Sequence, residues 1–154
     1  MGPSRWGNAM SLLKNPDFEN GQASWDRNNM PRAVDLEVIT DKNIARTGAN
    51  FLQFRTAEPM GSVAQSAKVA VAAPPSVTAI AYVRAKDTMV SGALAVWDLD
   101  ANLSASVPFT VGTAWTQVVA MLDMKSTGLN RTIRIEIYQD KPDLYLYVDS
   151  VNAF

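Results

Sequence analysis

Three stretches of this chain set aromatic and charged side chains in alternation with apolar ones. In 131–139, Ile133, Ile135 and Ile137 alternate with Arg134, Glu136 and Tyr138. In 76–86, Ala79, Ala81 and Val83 alternate with Ile80, Tyr82 and Arg84, and in 91–99 Leu94 and Val96 alternate with Ala95 and Trp97. Side chains two apart on a strand share a face, so a fold that buries the isoleucines turns the second set toward solvent. If the three stretches share a sheet, one face presents Trp97, Tyr82, Arg84, Arg134, Glu136 and Tyr138. Such a face suits a sugar, because aromatic rings stack on C–H surfaces while charged and polar groups fix the hydroxyls. A slip of one residue reverses the faces, and the same alternation leaves Trp97 open to a place in the opposite sheet's core.

Other chemistry is removed by what the chain lacks. It has no His and no Cys, hence no usual general base or zinc ligand and no Ser–His or Cys–His nucleophile. Asp35/Glu37 and Glu136/Asp140 are the carboxylate pairs left for a glycosidase, which needs two carboxyls at a fixed separation. No spacing rule joins either pair, and the expectation is a protein that is not an enzyme. Asp98, Asp100 and Asn102 alternate like the start of a calcium loop, but the Gly and distal Glu such a loop needs are missing, so a polar turn is expected. A net charge of −1 with no basic run argues against nucleic acid as a partner. No apolar stretch nears the ~20 residues of a membrane span, and Met1 to Met10 contains no signal-peptide h-region.

The elements that must position these residues read as strands. Helical periodicity is weak, and apolar or alternating runs recur between turn residues. Strands are expected over 12–18, 34–40, 50–56, 62–71, 76–86, 91–99, 103–110, 115–123, 131–139 and 144–151. The breakers between them are Asn20-Gly21, Thr47-Gly48, Pro59, Pro74-Pro75, Asp100-Ala101-Asn102, Gly112, Gly128 and Lys141-Pro142-Asp143. A chain of 154 residues suffices for one core, so the organisation is an arm over 1–11 and one domain over 12–154. Trp25 and Trp115 are expected to pack. Residues 22–25 with Arg27-Asn28-Asn29 form a polar loop, either solvated or in contact with a partner.

The two ends carry matched phrases: Leu13-Lys14-Asn15-Pro16-Asp17-Phe18-Glu19-Asn20-Gly21 with Trp25 after it, and Leu144-Tyr145-Leu146-Tyr147-Val148-Asp149-Ser150-Val151-Asn152-Ala153-Phe154. Between them come, in order, 45–54, 63–66, 79–85 and 112–118. This ordered set, covering about 12–154, resembles the β-jelly-roll carbohydrate-binding modules of the family 4, 9 and 22 group. The resemblance implies an all-β jelly-roll sandwich of two antiparallel sheets, its first and last strands paired, that holds a glycan without transforming it. It also implies a structural Ca²⁺ where the first loop meets the last strand, with carboxylates from Glu19 and Asp149 and backbone carbonyls from Gly48 or Asn50. The alternative is that Glu19 and Asp149 merely close turns.

The same sandwich is reused in phage tail and capsid proteins. A chain that starts at Met with no export signal is then expected as a virion component, a capsid-decoration or tail protein. Its extended N-terminal arm would dock on a neighbouring subunit through Trp6 and Met10, since buried aromatics dominate interface energy. The alternative is an extracellular accessory module of a secreted glycoside hydrolase.

Overall fold

The computed structural model describes residues 11–71, 76–124 and 128–154. The arm with Trp6 and Met10, and the Pro74-Pro75 turn, lie outside the described residues. Among the described residues ten strands follow one another: β1 (Asp26–Arg27), β2 (Val34–Thr40), β3 (Asn50–Thr56), β4 (Ser62–Val71), β5 (Ser76–Ala85), β6 (Val90–Asp98), β7 (Leu103–Val111), β8 (Thr116–Asp123), β9 (Gly128–Gln139) and β10 (Tyr145–Ala153). They form a front sheet, β1-β4-β9-β6-β7, and a back sheet, β2-β3-β10-β5-β8. Every pairing is antiparallel. The expected all-β jelly-roll sandwich is what forms.

Alternation builds the core. Ile133, Ile135 and Ile137 with Leu94 and Val96 point inward from the front sheet, against Ala79, Ala81, Val83, Leu146 and Val148 from the back. Each large aliphatic side chain removed from water contributes roughly 1.5–3 kcal/mol. Gly92 has a local reason to be glycine, since a Cβ there would lie 2.0 Å from the Tyr138 carbonyl and 2.8 Å from the Phe109 ring.

Residues 12–18 are not a strand, and this corrects the expected pairing of the first and last strands. Asn15 and Phe18 have φ of 48° and 57°, and Pro16 has no N–H to donate, so an extended ladder cannot run through them. The two ends still meet: Leu12 N–H donates to Ala153 O (2.7 Å) and Val151 N–H to Pro16 O (2.9 Å). Gln65 reads the segment from the side. Its Oε1 accepts Lys14 N–H at 2.7 Å and its Nε2 donates to Lys14 O at 2.9 Å. Phe18 and Trp25, 5.4 Å apart, close the end of the sandwich. The actual neighbours of β10 are β3 and β5, and the first strand is the two-residue β1 inside the stretch read as a loop.

Candidate functional site

Four of the six expected platform residues come together on the outer face of the front sheet. Register sets three rows across it: Ser66–Arg134–Trp97–Ser104, then Ala64–Glu136–Ala95–Ser106, then Ser62–Tyr138–Ala93–Pro108. In the middle row Ala64, Ala95 and Ser106 are small and Glu136 is buried, which leaves a trough between Trp97 and Arg134 on one side and Tyr138 on the other. The Arg134 guanidinium lies over the Trp97 ring, 5.2 Å from its centroid. A hollow of about 240 Å³ extends the trough toward the sheet edge, among Asp26, Arg27, Asn28, Ser66 and Arg134.

Glu136 organises this face from beneath. Its side chain is 0% exposed. Its Oε2 accepts Asn28 Nδ2 (2.7 Å) and the Ser62 hydroxyl (2.5 Å), and its Oε1 accepts Arg134 Nε (3.1 Å). Tyr138 is pushed up to about 12, first by burial, then by its hydrogen bond to Glu136 and that group's charge. The Trp97 indole N–H turns toward the same hydroxyl without a well-formed hydrogen bond. A fully buried carboxylate held by three hydrogen-bond donors, with the Tyr138 hydroxyl beside it, is a fixed anchor for the face. Asp140, the other carboxylate of the pair considered and set aside for a glycosidase, is exposed at the strand end.

Tyr82 and Arg84 are not on this face, which corrects the single six-residue platform. They stand on β5 in the back sheet, pointing out on the opposite side of the molecule. There Arg84 lies beside the rings of Tyr147 (5.3 Å) and Trp115 (6.0 Å). Trp115 packs edge-on against Phe51 and donates its N–H to Ile44 O at 2.7 Å. It therefore packs, but against the outer face and not in the core. The 41–49 loop folds over that face, with Arg46 3.4 Å above the Tyr82 ring.

No protein-family model and no curated protein matches the sequence. Solved structures do. A family 61 carbohydrate-binding module (TmCBM61), solved with β-1,4-galactotriose, superposes with TM-score 0.67 at 21% identity, over 95% of this chain and 99% of that one. The family 22 xylan-binding domain of Paenibacillus barcinonensis Xyn10C gives 0.68 at 15%, over 94% and 93%. The chain has the fold of the carbohydrate-binding jelly rolls. The same jelly roll matches part of the enzymatically active domain of bacteriophage CBA120 tailspike protein 4, with TM-score 0.59 at 9% identity, over 93% of this chain and 21% of that one.

The residues that the jelly-roll resemblance offered to calcium do gather at one corner, between the first loop and β10. The Glu19 carboxylate accepts N–H from Ala49 (3.2 and 3.3 Å) and Asn50 (2.8 Å). Asp149 accepts N–H from Arg46 (3.0 Å), Thr47 (3.2 Å) and Ser150 (2.8 Å). Gly48 is pressed against Glu19, where a Cβ would meet the carboxyl carbon at 2.7 Å, and its φ is +61°. The loop thus turns N–H groups toward both acids. Calcium takes six to eight oxygens, and no cluster of three or more acidic side chains forms among the described residues. This donor set does not fit the ion. Asp98, Asp100 and Asn102 form a turn as expected, with Asp98 Oδ1 accepting the N–H of Asp100 and Ala101.

The sequence reading missed Asn28 and Ser62, which hold Glu136, and Tyr147, which flanks Arg84. Tyr147 was legible, because Tyr145 and Tyr147 alternate with Leu146 and Val148. Asn28 carries no comparable pattern.

Proposed function

We propose that this protein is a non-catalytic glycan-binding module whose site is the outer face of the front sheet. The observation that carries this reading is the register. Trp97 and Arg134 face each other across β6 and β9, Tyr138 stands beyond the small-residue trough, and Glu136 pins the set. Trp97 offers a ring to a sugar's C–H surface. The terminal nitrogens of Arg134 and the exposed hydroxyls of Ser104 and Ser106 serve its hydroxyls. The galactotriose and xylan named for the matching modules support a β-linked polysaccharide as the first class to try. Trp97→Ala and Tyr138→Ala are expected to lower affinity at least tenfold on a glycan array carrying galactans and xylans, since a buried aromatic anchor is worth more than ~1 kcal/mol. Unchanged binding by both variants would overturn the assignment.

A second reading, a virion component, is favoured by the match to part of a phage tailspike. Many copies on a particle would turn weak glycan contacts into firm adhesion. Removing residues 1–11, with Trp6 and Met10, is then expected to abolish co-assembly with capsid or tail proteins while glycan-array binding persists. If the chain instead serves a secreted glycoside hydrolase, the truncation changes neither property.

A further inference from the structure

We propose that the back sheet carries a second, separate site, for a saccharide bearing a carboxylate, in which Arg84 clamps the carboxylate of a uronic-acid residue. Arg55, Arg131 and Arg134 each hold a carboxylate of the protein. Arg84 is half-buried and forms no ion pair among the described residues. Its Nε donates to Ala85 O at 3.1 Å, its guanidinium lies beside the rings of Tyr147 and Trp115, and its terminal nitrogens make no hydrogen bond among the described residues. A cation partly withdrawn from water calls for a counter-charge, and a planar guanidinium takes a carboxylate through two parallel hydrogen bonds.

The surroundings supply what a sugar needs and no competing acid. Tyr82 is two residues from Arg84 on the same face, roughly 7 Å away, and carries the Arg46 guanidinium on its ring. Arg46 likewise forms no ion pair among the described residues. Gln53 lies across the ladder from Tyr147, and Gln117 donates to the Tyr82 hydroxyl at 3.0 Å. These amides suit neutral hydroxyls. Of the nearby acids, Asp149 is closed under the 46–47 backbone and Glu37 is engaged by Gln53 at the far edge. The Trp115–Ile44 hydrogen bond fixes the loop as a wall. The two sheets separate this site from the front face, so neither assignment depends on the other.

The test is an NMR titration of the full, ¹⁵N-labelled chain with trigalacturonate, and with its methyl ester as the neutral control. Trigalacturonate is expected to shift the Trp115 indole N–H and leave that of Trp97 in place. The ester is expected to do neither, and 0.5 M salt to weaken the response. Arg84→Gln should weaken binding at least tenfold. Arg84→Lys, which keeps the charge and loses the fork, should recover only part of it, and Trp97→Ala should bind as the parent does. An equal response to the ester, no shift at Trp115, undiminished binding by Arg84→Gln, or a response to polyglutamate alone would overturn the proposal. If Arg84→Gln does not fold, the parent protein decides through the Trp115 shift and its loss with the ester. Failure of the front-face reading would show at Trp97 instead.

Discussion

Glu136→Ala is expected to destabilise the fold by about 3–5 kcal/mol, the range for breaking a buried charged network by removing one partner. The carboxylate is fully out of solvent and answers Asn28, Ser62, Arg134 and Tyr138 together. Removing it strands those donors on a face they cannot leave, because the pleat fixes where they point. Glu136→Gln should be milder, at about 1–2 kcal/mol. Its oxygen can still face Arg134, while the Ser62 hydroxyl rotates and the Asn28 amide flips to accept from the new NH₂ group. Urea denaturation should show a lower midpoint with an unchanged slope. An independent readout is Tyr138, now at about 12. In the Gln variant it should fall back part of the way toward 10, because burial, its largest cause, remains. A fully stable Glu136→Ala protein would mean that the front face is not organised from beneath.

The alternation of apolar and polar residues, bounded by turn residues, was strong enough to place β2, β3 and β4 to the residue. It failed at 12–18, where the opening phrase reads as a strand. What holds that segment is a side chain 51 residues away, Gln65 bonding to both backbone groups of Lys14, and no local pattern announces such a contact. Alternation sorted each strand into two faces, but it left Trp97 open between the outside and the core and did not say which strands share a sheet. Tyr82 and Trp97 each oppose core residues, yet β5 and β6 lie in different sheets, so a single imagined platform is two faces. Phe51 shows the same limit. It lies on the outer side of β3 and is fully buried all the same, covered by the 41–49 loop with Trp115 and Tyr147. The adjacent pair Phe51-Leu52, apolar on both faces, was the sequence's one indication that something must cover the outside.

Lowering the pH from 7.5 to 5 is expected to stabilise this protein, the reverse of the usual behaviour of a buried, hydrogen-bonded carboxylate. Asp149 is pushed from 3.8 up to about 6, because burial outweighs the N–H groups of Thr47, Ser150 and Arg46, and the nearby Asp17 adds to the rise. The folded state therefore holds this proton more tightly than the unfolded chain does. The resulting stability is fully present below the unfolded value near 3.8 and is lost as pH climbs through 6. A rise of about two units corresponds to roughly 3 kcal/mol over the whole span, of which a little under half, about 1.4 kcal/mol, is recovered by pH 5. With no His in the chain, no other side chain ordinarily titrates in this window, so the slope is readable. Denaturation midpoints measured every half unit should rise as pH falls, and Asp149→Asn should flatten the curve between 5 and 7. A cation at this corner would hold Asp149 ionised and erase the slope, so its sign also bears on calcium. The same carboxylate grips the backbone of Arg46 and Thr47, in the loop that walls the Arg84 face. The pH dependence thus reports on the corner that shapes the second site. A parent curve that stays flat with chelator present would mean that water reaches Asp149 and the loop is not closed over it, whereas a slope that appears only with chelator would mean a bound cation.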